Sequence, residues 1–192
     1  MADQRPGQVP VVERRPIVGV MGSGAESHED LAIPLGRAIA GNGWHLLTGA
    51  GRGTMTATSR AFVETENREG LCLGVVPRHE GGDGSPDGYP NPWVEVVIRT
   101  HLPLSGAAGT GPFSRNHINV LSADAVVALP GSAGTWSEIE LSLRYRRPLV
   151  VFDRPPGDSD QSTRAAAGGA LVVTDLDHLV DWLRRTVTIP LP

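Results

Sequence analysis

Short apolar runs alternate with longer amphipathic segments along the chain from Ile17 onward. Such runs, bounded by glycine, proline or small polar residues, are typical of buried strands, and the amphipathic segments between them are typical of helices. The alternation predicts βαβ units and therefore an α/β fold: one Rossmann-like domain with a mostly parallel sheet of about seven strands and helices on both faces. The predicted strands lie at residues 17–21, 45–48, 71–76, 94–98, 125–129, 149–152 and 170–173.

The polar and glycine-rich segments between the strands predict the helices and loops. Ser27 and Asp30 have the spacing of a capping box, which predicts the start of the first helix. Predicted helices lie at residues 29–41, 54–67, 115–122, 136–146 and 176–185. Glycine, proline and small polar residues predict loops at 79–92 and 105–112 and a mobile connection at 153–169. Residues 1–15 contain no long apolar run, so we expect a disordered tail before a single domain at 16–192.

Three glycine-rich turns follow three of the predicted strands. They read M-G-S-G at residues 21–24, G-A-G-R-G-T-M at 49–55 and P-G-S-A-G-T at 130–135. Glycine leaves backbone amides accessible, and the next helix start carries partial positive charge, so these turns are predicted to bind an anion such as phosphate. A tight turn also needs glycine for structural reasons alone, and this alternative is strongest for the first turn.

The predicted ligand-binding residues come from these three turns and from the segment before the predicted third helix. They are Gly22, Ser23, Gly49, Gly51, Arg52, Gly53, Thr54, Arg115, Asn116, Pro130, Gly131, Ser132, Ala133, Gly134 and Thr135. Arg52 either clamps a phosphate in bidentate fashion or is a solvated loop residue, and the sequence leaves both open. Asn116 and Asn119 have helical spacing and are predicted to share a face with Arg115.

The third turn carries the most chemistry because Thr135 and Glu138 follow its glycines. Their spacing is that of a capping box, which predicts Thr135 as the helix cap and Glu138 as its reciprocal partner. The same helix start predicts a phosphate on the Thr135 hydroxyl and the amides of residues 131–135, with the Glu138 carboxylate facing that cleft. Arg115 is predicted to supply the positive charge of the site.

Composition narrows the chemistry of such a site. All 17 basic residues are arginine, so neither a Schiff base to pyridoxal phosphate nor a Walker-type lysine is possible. Cys72 is the only cysteine, and His79, His101 and His117 lack ligand spacing, so we predict no metal site and no cofactor needed for folding. The net charge of −4 argues against nucleic acid and anionic membranes as partners. Without a secretory signal or an apolar run of about 20 residues, we expect a cytoplasmic protein.

The motifs resemble those of the LONELY GUY (LOG) superfamily, long mislabelled as lysine decarboxylases, from the first strand to about Phe152. Its enzymes carry P-G-G-x-G-T-x-x-E and G-G-x-x-G-L-M, and this chain has P-G-S-A-G-T-W-S-E and G-A-G-R-G-T-M in their places. By this resemblance Arg115, nine residues before Asp124, matches the catalytic arginine, and Glu138 matches the catalytic glutamate. The resemblance implies a phosphoribohydrolase that cleaves the N-glycosidic bond of cytokinin nucleoside 5′-monophosphates.

The segment around Arg115 is more similar to another branch of the superfamily. It reads F-S-R-N where LOG enzymes usually have H-E-R-K, and it resembles the branch of molybdenum cofactor carrier proteins. That resemblance implies a carrier or storage protein for a phosphorylated nucleotide-like ligand, the phosphorylated pterin of the molybdenum cofactor, and a homodimer or homotetramer. Both branches retain the arginine and the glutamate, so a carrier and an N-glycosidase remain as two hypotheses.

Overall fold

A seven-stranded parallel sheet forms the centre of the structure, a computed structural model that describes residues 14–79 and 85–187. The strands are β1 (Ile17–Met21), β2 (His45–Thr48), β3 (Cys72–Val76), β4 (Val96–Arg99), β5 (Ala125–Ala128), β6 (Leu149–Phe152) and β7 (Leu171–Val173). Their order across the sheet is β4-β3-β2-β1-β5-β6-β7, with parallel pairing throughout. The order reverses between β1 and β5, which is where open α/β sheets leave a crevice for ligands.

Helices cover both faces of the sheet. They are α1 (Glu29–Gly41), α2 (Thr54–Val63), α3 (Asn116–Ser122), α4 (Ala133–Arg144), α5 (Asp160–Ala167) and α6 (Leu176–Val187), with a 3-10 turn at Gly106–Ala108. One core cluster buries Leu35, Phe62 and Leu183 from α1, α2 and α6 against the sheet. A second cluster, on the other face, buries Ile139 of α4 and Ala165 of α5. The predicted α/β Rossmann-like fold is therefore confirmed.

Several predicted boundaries shift where a local contact ends or begins an element. The helix predicted at 54–67 ends at Val63, and Asn67 lies in the left-handed region at φ 55°. Strand β4 begins at Val96 rather than at residue 94, because the Val94 amide donates to Asn91 O in a turn. Shifts of one or two residues affect β3, β5, β7, α3 and α6.

Both capping-box predictions are wrong. His28, not Ser27, is the N-cap of α1, with φ 42° and no side-chain cap. Helix α4 begins at Ala133 rather than at residue 136, because Ser132 is extended and occupies its N-cap position. Thr135 therefore lies within the first turn of α4, where its hydroxyl has no capping role.

The connection predicted at 153–169 contains the helix α5. Ser159 caps this helix by accepting a hydrogen bond from the Ser162 amide at 3.2 Å. The Asp153 carboxylate at the end of β6 accepts hydrogen bonds from the Ser159 and Ser162 hydroxyls and from the Arg154 amide. This network holds the start of α5 against the end of β6.

The predicted tail falls mostly outside the described residues, as do residues 80–84 and 188–192. Within residues 1–15, the structure describes Arg14 and Arg15, which pair with Asp124 at 2.8 Å and with Glu69 at 2.6 Å. No helix among the described residues is both long enough and apolar enough to cross a membrane.

Candidate functional site

A pocket of about 390 Å³ opens at the carboxyl ends of β1, β2 and β5, at the point where the strand order reverses. Nine residues predicted from the sequence line it: Gly22, Gly49, Arg115, Asn116, Ser132, Ala133, Gly134, Thr135 and Glu138. Strand order brings together turns that are far apart in sequence. The pocket is also lined by residues outside the predicted set, among them Met21 and Met55 at the edges of two glycine turns, and Tyr89 and Gly106 from loops.

Arg115 lies immediately before α3 and is 5% exposed. Its Nη1 donates to Val75 O on β3 at 3.1 Å, and its Nε has no acceptor among the described residues. The guanidinium lies so close to Gly49 that a Cβ atom there would be 2.3 Å from Nη1. Position 49 therefore has to be glycine for the arginine to occupy this place.

Glu138 projects from α4 and is 7% exposed. Its Oε1 accepts a hydrogen bond of 2.7 Å from the Asn119 side chain on α3. Burial raises the pKa of the Glu138 carboxyl, although the positive charge of Arg115 and the Asn119 hydrogen bond oppose this shift. The Glu138 carboxyl thus keeps its proton to a higher pH than an exposed glutamate does.

The first turn of α4 forms one wall of the pocket. Thr135 is 2% exposed, and its Oγ1 finds no hydrogen-bond partner within residues 14–79 and 85–187. The first-turn amides of a helix have no acceptor within the helix, so those of residues 133–135 add donors to the same wall. Gly131 makes room here, since a Cβ atom at that position would lie 2.0 Å from Thr135 Oγ1.

Asn116 connects α3 to α4 through Ser137. Its Nδ2 donates to Ser137 Oγ at 2.8 Å, and Ser137 Oγ donates in turn to Gly134 O at 2.7 Å. Ser137 Oγ also lies 3.2 Å from Gly106 O, which attaches the predicted loop at 105–112 to the start of α4. Asn116 and Asn119 thus both contact side chains of α4.

The other predicted residues of the first two turns lie outside the pocket lining. Ser23 Oγ accepts hydrogen bonds from the amides of Ala25 and Glu26, and Thr54 Oγ1 donates to Glu26 O at 3.0 Å. These contacts give Ser23 and Thr54 a structural role in the turn.

The second glycine turn packs against neighbouring backbone. Gly53, at φ 60°, approaches Ser23 O closely. A Cβ atom at Gly51 would contact Met55 and Tyr89, and one at Gly88 would lie 2.6 Å from Arg52 Nε. Arg52 is exposed and lines a separate surface groove, so the structure places it away from the main pocket.

Gln161 on α5 holds the turn at residues 130–131, called the P-G turn below. The sequence did not predict this contact. Its Oε1 accepts a hydrogen bond from the Gly131 amide at 3.1 Å, and its Nε2 donates to Leu129 O at 3.0 Å. The Gly131 amide, predicted to hold phosphate, is therefore bound by Gln161, and Pro130 O accepts from the Ser23 amide at 3.2 Å. A second pocket of about 300 Å³ lies beside this turn.

Trp136 borders that second pocket and stacks under the guanidinium of Arg164, with 3.7 Å between Arg164 Cζ and the ring centroid. His117 contacts Tyr145 Oη and Gly111 O through its two ring nitrogens. In the part of the chain that the structure describes, no group of three or more His, Cys, Asp or Glu side chains is placed to hold a metal ion. Burial raises the pKa of Cys72 to about 11, which makes its thiol unreactive.

The structure is thus an α/β protein with a candidate ligand site at the switch point of a parallel sheet. Residues 15–177 match the model of the SLOG cluster4 family. The chain belongs to the SLOG cluster4 family.

Two solved structures are similar over nearly their whole length. The molybdenum cofactor binding protein from Rippkaea orientalis is 30% identical with a TM-score of 0.70, and the match covers 91% of this chain and 98% of that one. The molybdenum cofactor carrier protein from Chlamydomonas reinhardtii is 28% identical with a TM-score of 0.68, covering 92% and 100% of the two chains. An uncharacterized protein of Archaeoglobus fulgidus is 28% identical over 141 residues, which are 72% of this chain and 80% of that protein.

Proposed function

We propose that this chain is a carrier or storage protein for a phosphorylated, nucleotide-like ligand, and that this ligand is the molybdenum cofactor. The observation that carries the proposal is the buried hydroxyl of Thr135, which lacks a partner among the described residues and lies in the pocket at the start of α4. Similarity to two molybdenum cofactor binding proteins at 28–30% identity supports the choice of ligand.

The residues of the pocket fit the phosphate of such a ligand. Thr135 Oγ1 and the amides of residues 133–135 would donate to phosphate oxygens, and Arg115 would supply the positive charge of a lysine-free chain. Gly131 and Gly49 leave the space that Thr135 and Arg115 occupy. The volume of about 390 Å³ lies within the usual range for small-molecule sites. Only a ligand that extends beyond this pocket would contact Gly51, Arg52 and Gly53.

Hydrolysis of nucleoside 5′-monophosphates is the second candidate, because Arg115 and Glu138 line the same pocket. In such a reaction the Glu138 carboxylate would activate water or stabilise an oxocarbenium-like ribose. Both roles need the ionised form, which the positive charge of Arg115 and the Asn119 hydrogen bond favour and which burial opposes. The similarity to two molybdenum cofactor binding proteins favours the carrier as the first candidate.

Binding of molybdenum cofactor released from a molybdoenzyme tests the proposal. The purified chain is mixed with the cofactor and passed through a desalting column, and protein-bound pterin is oxidised and quantified by fluorescence. We expect co-elution with the parent chain and at least a severalfold loss with Thr135→Val, which keeps the side-chain shape and removes the hydroxyl. Retention no better than with an unrelated protein of similar size would refute the carrier function.

A parallel incubation with adenosine and isopentenyladenosine 5′-monophosphates tests the second candidate. Release of free base that Glu138→Ala abolishes would establish the hydrolase and refute a purely binding function. Light scattering of the same samples tests the further proposal of a homodimer or homotetramer built from a single domain.

A further inference from the structure

We propose that Asn116 selects ligands that carry a hydrogen-bond donor next to their phosphate. The inference rests on the proposed function, because it takes the phosphate to lie at the first turn of α4. It goes further by assigning the chemical class of the ligand skeleton: a phosphomonoester whose neighbouring carbons bear hydroxyl or amino groups.

The orientation of the Asn116 amide follows from the hydrogen bonds around Ser137. Ser137 Oγ has a single proton to donate. Of the two carbonyl oxygens near it, Gly134 O at 2.7 Å is closer than Gly106 O at 3.2 Å, so the proton goes to Gly134 O. At the 2.8 Å contact with Asn116 the hydroxyl must therefore accept, and the Asn116 atom facing it must be the Nδ2 donor. The amide orientation is thus determined, and Oδ1 lies on the opposite side from Ser137.

Asn116 Oδ1 is a buried acceptor that the described part of the chain leaves without a donor. The residue is 2% exposed and lines the pocket together with Arg115 and Thr135. A buried carbonyl oxygen without a partner costs free energy, and a ligand N–H or O–H placed here would remove that cost. A ligand that presents only acceptors would leave it unpaired.

The donor that Asn116 requires lies close to the phosphate. Two consecutive hydrogen bonds, of 2.8 and 2.7 Å, connect the Asn116 side chain to Gly134 in the first turn of α4. This is the same turn whose amides and Thr135 hydroxyl face the pocket. The donor therefore belongs to the atoms beside the phosphoester, and an anion without any donor, such as sulfate, is the poorest ligand for this site.

Calorimetric titration with a matched pair of probes tests this inference. Glycerol 1-phosphate and propyl phosphate share a three-carbon phosphoester, and only the former has hydroxyl donors on its carbon chain. Ribose 5-phosphate, with more hydroxyls, and sulfate, with no donor, extend the series at each end. We expect the parent chain to bind glycerol 1-phosphate about 3- to 10-fold more tightly than propyl phosphate, as one neutral hydrogen bond would give. In Asn116→Leu this preference should fall to one or below, with the affinity for propyl phosphate nearly unchanged.

Two further variants separate the possible causes. Ser137→Ala keeps Asn116 but removes the group that orients its amide, so the preference should weaken; this variant also tests the inference if Asn116→Leu does not fold. Thr135→Val should weaken both probes equally, because its hydroxyl contacts the phosphate that they share.

The outcomes distinguish the role of Asn116 from the presence of the anion site itself. A preference near one in the parent chain, or one that survives in Asn116→Leu, overturns the role of Asn116 and leaves the anion site intact. Equal weakening of both probes in Asn116→Leu also overturns it, because Asn116 would then only shape the pocket. Failure of every phosphate ester to bind the parent chain overturns the anion site and the inference together.

Discussion

Replacing Gly49 by alanine tests whether this glycine allows Arg115 to occupy the pocket. A Cβ atom at position 49 would lie 2.3 Å from Nη1, 2.7 Å from Nη2 and 2.9 Å from Cζ of Arg115. Because the arginine is buried, we expect the guanidinium to move aside only by giving up its hydrogen bond to Val75 O. The loss of a hydrogen bond from a charged donor costs about 1.5–3 kcal/mol.

A smaller gain offsets part of this cost. Gly49 is not in the left-handed region, so alanine fits its backbone and restricts the unfolded chain, which stabilises by about 0.4–1 kcal/mol. The net loss is then about 1.5 kcal/mol. For a chain of this length it lowers Tm by about 3–6 °C.

A double-mutant cycle with Arg115→Leu, measured by urea unfolding, identifies the cause. Leucine is shorter than arginine and should not reach the three atoms that the new Cβ meets. In the Arg115→Leu background, Gly49→Ala should therefore be neutral or slightly stabilising, which gives a coupling free energy of about 1.5–3 kcal/mol. Costs that agree within about 0.5 kcal/mol in the two backgrounds would refute the reasoning.

Three further predictions concern buried carboxyls and the contact between α1 and α2. Burial raises the pKa of Glu138 above 4.5, so the free energy of unfolding should fall as pH rises from about 4.5 through that raised pKa, and Glu138→Gln should abolish the fall in urea titrations. Gly36→Ala would place a Cβ atom 2.5 Å from Thr58 O and should lower the unfolding free energy by about 1–3 kcal/mol. Its control is Gly41→Ala in the same helix, where no described atom lies within 4 Å, and which should stabilise by up to about 1 kcal/mol. Burial alone would raise the pKa of Asp153, but its three hydrogen bonds lower that pKa below 3.8. The ionised carboxylate therefore stabilises the fold at higher pH, and this contribution is lost as pH falls through the lowered pKa. Asp153→Asn should remove this dependence of the melting temperature on acid pH in thermal melts.

Each of these three predictions has an outcome that would contradict it. A Glu138→Gln variant with the pH dependence of the parent chain would mean that the buried carboxyl does not set that dependence. Equal effects of Gly36→Ala and Gly41→Ala would mean that the helix contact is not tight. An Asp153→Asn variant whose melting temperature falls with acid as steeply as that of the parent chain would show that Asp153 does not cause this pH dependence.

The strands and α1 could be predicted because their signals are local. A buried parallel strand is a short apolar run, and α1 alternates polar and apolar residues at helical spacing. Helix α5 gives no such signal, since its sequence D-Q-S-T-R-A-A-A has no apolar stripe and buries only Ser162 and Ala165. Its start depends on Asp153, which precedes the helix along the chain and contacts it only after folding.

The sequence predicted part of the pocket lining but not the contacts that hold it. Arg115, Glu138 and the glycine turns follow from motifs, and the strand order brings the turns together. The acceptor of Arg115 lies 40 residues away on β3, and Tyr89 reaches the pocket from a loop whose path has no local signal. The start of α4 was misplaced because Ser132 and Thr135 both suit a helix cap, and the backbone of Ser132 decides between them.

The two hydrogen bonds of Gln161 couple the P-G turn to the stability of α5. Because α5 contributes few buried side chains, its local opening should cost less than opening the helices of the main core. When α5 opens, Gly131 and Leu129 lose their shared partner, and the P-G turn gains the freedom to rearrange. Hydrogen exchange of the Gly131 amide should therefore follow that of the α5 amides. Opening of α5 would then release a tightly bound ligand while the sheet stays folded.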